Sequence, residues 1–171
     1  FRVNSTTLQG KEQFTMELLD KVLSESNLKD AMTKVVKNGG SAGIDGMDVQ
    51  EGRYYFLKHK EEIINQIKTR TYKPQPVKRV EIPKPDGGIR NLGIPCVIDR
   101  IIQQAINQVL SPIYEEQLCE FSYGFRPNRD CHMAINKSLE YLNEGYTIIV
   151  DIDLEKFFDK VNHDKLMQVI N

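Results

Sequence analysis

Residues 82–95 read Ile82-Pro83-Lys84-Pro85-Asp86-Gly87-Gly88-Ile89-Arg90-Asn91-Leu92-Gly93-Ile94-Pro95, and this stretch decides the fold class. Asp86-Gly87 is a strong short-range hairpin signal, because glycine supplies the positive φ that a tight turn needs. Val77, Val80 and Ile82 flank basic residues on the incoming side, and residues 89–92 form the return strand. A β-hairpin is expected, with Lys84 and Arg90 near its tip on the two arms. Pro95 ends the unit, since proline cannot donate to a ladder.

Helical periodicity surrounds the hairpin. Phe14, Leu18, Leu19 and Val22 share one face over residues 13–23. Asn27 with Asp30 reads as a capping box that opens a second helix through Ala31, Met32, Val35 and Val36. Asn38-Gly39-Gly40 stops it. The loop Gly43-Ile44-Asp45-Gly46 lacks the spacing of a dinucleotide-binding turn, which excludes that class of site. A third helix is expected over residues 54–70, with Leu57, Ile63, Ile64 and Ile67 inward. After the hairpin, Ile98, Ile101, Ile102, Ala105, Ile106, Val109 and Leu110 mark a strongly amphipathic helix over 97–110, continuing past Pro112 with a kink. Residues 121–129 read as irregular and 131–142 as a helix. Tyr146-Thr147-Ile148-Ile149-Val150 is an apolar run expected to be a buried strand, leading into Asp151, Asp153 and Phe157-Phe158-Asp159. The fold class is α/β.

The chain has 171 residues, enough for one compact domain or two small subdomains. No apolar run approaches the length that spans a bilayer. Residues 1–5 lack a signal-type apolar core, and the missing start methionine reads as a trimmed or processed product. Cys96, Cys119 and Cys131 match no zinc spacing and read as reduced thiols, Cys131 at a half-buried helix start. Residues 68–100 hold eight basic residues against three acidic, and those after Cys131 hold four against seven. A basic segment for phosphates beside an acidic one for metal ions suits a polymerase, though unevenly charged solvated surface gives the same count.

Asp151 and Asp153 follow the apolar run and point to one side if the strand persists. Carboxylates there serve either as strand-end or capping groups, or as hard oxygen ligands for Mg²⁺. A wider pattern separates these readings. Residues 82–95, followed by Asp99-Arg100-Ile101-Ile102-Gln103-Gln104, resemble the first blocks of group II intron reverse transcriptases. Tyr123-Gly124-Phe125-Arg126-Pro127-Asn128-Arg129-Asp130-Cys131-His132 resembles their next block. Asp153-Leu154-Glu155-Lys156-Phe157-Phe158-Asp159 resembles the motif with the first catalytic aspartate, and residues 39–48 their N-terminal loop. The chain departs from the pattern at Asn91, where proline is usual, at Asp130, a common serine, and at Glu155-Lys156, where Lys-Gly is frequent.

The resemblance implies a right-hand polymerase. Residues 1–50 would be a helical N-terminal extension and loop, 51–145 the fingers, and 146–171 the start of the palm. Asp153 would be the catalytic, metal-binding carboxylate of a two-ion Mg²⁺ site, helped by the carbonyl of Leu154, with Asp151 a neighbour. Lys84 and Arg90 would grip the triphosphate of an incoming dNTP, and Phe158 would lie under its sugar. Lys78, Arg79, Arg126 and Arg129 would meet nucleic acid, the last two alternatively buttressing the palm. Gln103, Gln104 and His163 read as scaffold. The family's Tyr-x-Asp-Asp hairpin has no counterpart in the sequence, so a fragment inactive in polymerisation is expected. Partners would be intron RNA, an RNA template with a DNA primer, and a dNTP, with no membrane. A second copy could pair along an open palm edge, and the compartment would be the bacterial cytoplasm. Two other readings stand beside this one: an RNA-binding maturase module without catalysis, and a retron or defence-type reverse transcriptase.

Overall fold

The computed structural model describes residues 5–85, 87–154 and 157–170, with side chains from Gln13 onward except Phe14, Phe158, Asp159 and Ile170. Asp86 in the hairpin turn and the inward-facing role read for Phe14 therefore lie outside the described residues. The chain divides into two compact units, residues 1–118 and 119–171.

The first unit contains α1 (Ser5–Val22), α2 (Glu25–Asn38), α3 (Val49–Lys68), β1 (Lys78–Pro83), β2 (Ile89–Ile94) and α4 (Val97–Glu115). Leu28, Ala31, Met32 and Val35 repeat at the helical interval and bury the inner face of α2. They pack on α4, whose Val97, Ile101 and Ala105 are wholly buried. α3 adds Val49, Phe56 and Ile63 to the same core. Its Gly52 meets α4 so closely that an added Cβ would stand 2.5 Å from the Cβ of Val97. Pro112 lies inside α4, which runs on to Glu115 as its periodicity suggested.

The helix starts differ from the sequence reading. The cap of α2 is Ser24, whose hydroxyl accepts from the amide of Asn27. Asn27 lies inside the helix, and its carboxamide donates to the carbonyls of Val22 and Ala105 at 2.8 and 3.0 Å. Gln108 donates to its Oδ1 at 2.7 Å. The residue read as a cap thus stitches α2 to α4. α3 starts five residues before its expected position, at Val49. Asp48 accepts from the amides of Gln50 and Glu51, while Glu51 accepts from the amide of Asp48, a full capping box.

β1 and β2 pair antiparallel, with Lys78 opposite Ile94 and Ile82 opposite Arg90. Residues 84–88 connect them. Lys84 donates its amide to the Gly88 carbonyl at 2.7 Å and accepts from the Gly87 amide at 3.1 Å. Among the described elements the hairpin packs against no helix, so it stands away from the helical body.

The second unit contains α5 (Cys131–Asn143), α6 (Phe157–Lys160) and α7 (His163–Ile170). Cys131 opens α5 as expected but is exposed rather than half-buried. Asp130 caps α5, accepting from the amide of Met133 at 2.8 Å. Aspartate caps about as well as serine, so this departure from the family pattern preserves the helix start.

Residues 146–150 do not form the expected buried strand. The segment is irregular, with Ile148 87% exposed and Val150 77%. An apolar run becomes a strand when a neighbouring strand takes its amides and carbonyls, and the sheet among the described residues holds β1 and β2 alone. The palm sheet expected from residue 146 onward is therefore not formed among the described residues.

Gly52→Ala tests the α3–α4 contact. Overpacking of this kind costs about 1–3 kcal/mol. The helix propensity regained by alanine offsets about 1 kcal/mol of that. A lowered thermal midpoint is expected; an increase would show that the helices separate at no cost.

Candidate nucleotide and nucleic-acid site

The hairpin carries the basic residues that the sequence singled out. Lys78 and Arg79 lie on β1, Arg90 on β2, and Lys84 just beyond β1. All four are exposed. None has an ion-pair partner among the described residues. By ladder alternation Lys78 and Arg90 share a face with Val80 and Ile82, while Arg79 lies on the opposite face with Glu81.

The root of this hairpin contains the most buried charged residue of the chain's described part. Asp99, in the first turn of α4, is 4% exposed. Its Oδ1 accepts from the phenol of Tyr72 at 2.6 Å, and its Oδ2 from the backbone amide of Gln75 at 3.1 Å. Burial, then the hydrogen bond and charge of Asp99, push the Tyr72 phenol well above the ordinary tyrosine range. The sequence reading placed Asp99 in a motif but gave it no task. Its partners lie 24 and 27 residues away, beyond any local pattern.

Arg100, the next residue, donates from Nη1 to the Gly39 carbonyl at 3.2 Å and from Nη2 to the Ser41 carbonyl at 2.8 Å. It holds the glycine loop after α2 against α4. In that loop Gly43 lies so near Cys96 that an added Cβ would approach its Cα to 2.6 Å. Burial is the main cause that pushes the Cys96 thiol up, which keeps it protonated and unreactive.

In the second unit, Arg126 donates to the carbonyls of Cys119 and Ser122 at 2.7 and 2.9 Å. Arg129 donates to the Glu120 carbonyl at 3.0 Å and lies over the Tyr123 ring, 5.3 Å from its centroid. Both arginines therefore brace the irregular segment before α5. Asp151 and Asp153 are exposed, and packing does not fix them in the way a buried strand would. Asp153 Oδ1 accepts from the Leu154 amide at 2.9 Å. Among the described residues no three ligating side chains gather. The side chain of Phe158 lies outside the described residues. Gln104 donates to Gln108 at 3.4 Å within α4, Gln103 is exposed on the same helix, and His163 opens α7.

Comparison with known proteins connects these features. The family model described as reverse transcriptase (RNA-dependent DNA polymerase) matches residues 82–171, from the hairpin onward. The chain is 40% identical over 111 residues to the group II intron-encoded protein LtrA of Lactococcus lactis subsp. cremoris, covering 64% of this chain and 18% of that protein. It is 34% identical over 138 residues to the protein YkfC of Escherichia coli (strain K12), covering 78% and 36%. It is 30% identical over 150 residues to the putative COX1/OXI3 intron 2 protein of Saccharomyces cerevisiae, covering 88% and 16%. The chain belongs to the reverse transcriptase family and is of the group II intron, maturase type. It spans between 16% and 36% of the length of these relatives. No helix among the described residues is long and apolar enough to cross a membrane.

The Tyr72 phenol gives a pH signature. Its folded-state pKa is raised, so its stabilisation is full below the unfolded tyrosine value of about 10 and is lost as pH rises beyond it. Urea midpoints measured near about pH 8 and about pH 10.5 should fall more steeply in the wild type than in Tyr72→Phe. Equal slopes would mean that the phenol titrates normally.

Proposed function

We propose that the chain is the fingers and first palm segment of an RNA-directed DNA polymerase that copies intron RNA into DNA and aids splicing by binding it. The observation that carries this reading is the projecting hairpin with Lys78, Arg79, Lys84 and Arg90 exposed and without ion-pair partners among the described residues, in a chain of this family. Unpaired cations on a projection suit phosphates, because binding releases the counterions condensed on nucleic acid. Intron-encoded proteins among the relatives favour the intron type over a retron or defence system.

Residues 1–50 serve in this proposal as the N-terminal extension, 51–145 as fingers and 146–171 as the palm start. Lys84 and Arg90 hold the triphosphate, and Phe158 lies under the sugar of the dNTP. Lys78 and Arg79 take template or intron RNA. Arg126 and Arg129 meet nucleic acid while bracing their loop, a division that the five N–H groups of one guanidinium permit. A second copy pairs along the open palm edge. The bacterial cytoplasm belongs to the same proposal.

The donors present fit part of a Mg²⁺ site. The exposed Asp153 carboxylate and the Leu154 carbonyl are hard oxygens of the kind Mg²⁺ selects, with substrate phosphates as further ligands. When bound, the metal supplies charge stabilisation for phosphoryl transfer. Asp153 holds it, and Asp151 stands beside it as a neighbour.

Two measurements test the proposal. RNA affinity of the chain should fall steeply between low and moderate salt. Substituting Lys78 and Arg79 with alanine should weaken all RNA sequences alike and flatten that dependence, by about one unit of log–log slope for each phosphate no longer neutralised. An affinity indifferent to salt would defeat the phosphate reading. In the complete polymerase, Asp153→Asn should slow primer extension by roughly 10³-fold or more, several kcal/mol of barrier, while Asp151→Asn costs much less. The reverse ranking would move the metal ligand to Asp151; activity retained by both would defeat the polymerase reading.

A further inference from the structure

The hairpin reaches the helical body at two points. β2 leads through Pro95 and Cys96 directly into α4, whose first turn is buried at Val97 and Ile98. β1 is approached from α3 by residues 69–77, which assume no regular strand or helix. Asp99 grips this approach twice, through the side chain of Tyr72 and the backbone amide of Gln75. The hairpin packs against no other described element, so its direction is decided at this root.

We infer that Asp99 is a positioning residue for nucleotide use: it clamps the incoming arm of the hairpin to the helix into which its outgoing arm leads, and so aims Lys84 and Arg90. A buried carboxylate is costly unless its oxygens are hydrogen-bonded, and here both oxygens accept from the segment that feeds β1. Hydrogen bonds to an ionised acceptor are the stronger kind, which suits a fixed mount. Asp99 also stands in the first turn of α4, where the helix dipole favours a negative charge. An apolar contact at this place would hold the segment without fixing its direction, whereas two hydrogen bonds to one rigid carboxylate fix both.

The inference rests on the polymerase reading for its functional half, so the test has two arms. In the first, spin labels are placed on this chain at Glu81→Cys in β1 and Lys34→Cys in α2, with the exposed Cys119 and Cys131 replaced by serine. The distance distribution between the labels should be narrow in the parent and broader in both Tyr72→Phe and Asp99→Asn. Tyr72→Phe removes one hydroxyl and keeps the ring, so it remains informative if Asp99→Asn folds poorly. In the second arm, the complete polymerase with Tyr72→Phe should show a nucleotide KM raised roughly tenfold to a hundredfold, the scale of a misplaced binding group. Its kcat at saturating nucleotide should stay close to wild type. A merely structural role would lower the amount of active enzyme and leave KM alone. An unchanged distance distribution overturns the clamp, and a broadened one with unchanged KM overturns its link to nucleotide. A wild type that incorporates no nucleotide overturns the polymerase reading and the functional half with it, while the distance arm still decides the clamp.

Discussion

The burial of α4 is the constraint on which the first unit depends. Val97, Ile101 and Ala105 have no solvent exposure, and α1, α2 and α3 each rest part of their apolar face on this helix. Burying a helix on several sides leaves few places for polar groups, so most find partners, although the buried Arg100 Nε has none among the described residues. Asn27 and Gln108 answer one another across α2 and α4. Asp99 and Arg100, at the start of the helix, turn their polar groups toward chain segments that have no regular structure to hold them. One helix therefore serves as core, as anchor for the glycine loop, and as footing for the hairpin. The core and the site are not separate problems in this unit.

That double duty explains what the sequence revealed. The periodicity of residues 97–110 marked α4 without ambiguity, and the turn glycines placed both arms of the hairpin. The starts of α2 and α3 were harder. Asn27-x-x-Asp30 and Ser24 both offer capping groups, and the choice depends on Asn27 being needed at Ala105, 78 residues away. The Asp48-x-x-Glu51 pattern was present in the sequence and would have placed α3 correctly. Asp99 was different in kind. A carboxylate in the first turn of a helix ordinarily complements the helix dipole. Nothing local distinguishes that duty from holding a distant tyrosine and a distant amide.

The run 146–150 shows the opposite limit. Its composition is that of an inner strand, and its side chains stand exposed. Hydrophobicity records the surroundings a segment is suited to, while strand formation also requires hydrogen-bonding partners for the backbone. The two requirements are met by different parts of a chain. Asp153 inherits this situation: its place after an apolar run was legible, but the fixed geometry expected from a paired strand was not reproduced. The family motif, rather than the local structure, is what supports assigning metal binding to it.

Accounting for donors separates the cations of this chain more sharply than counting charges does. Arg100, Arg126 and Arg129 all direct N–H groups at backbone carbonyls of irregular segments, a structural duty that lysine's compact ammonium performs less well. Lys137 pairs with Glu140 at 2.7 Å on α5. Lys78, Arg79, Lys84 and Arg90 direct no side-chain donor at any described residue, and they are spread along the hairpin from its root at Lys78 to its tip at Lys84. Lys78, Arg79 and Arg90 on the strands outnumber the one acidic residue there, Glu81, and in water at ordinary salt charges interact over about 10 Å. In the proposed function these cations meet phosphates. The segment that feeds β1 is instead held by the buried carboxylate of Asp99, through Tyr72 and the Gln75 amide, so the polar anchoring of the hairpin lies at its root rather than along its strands.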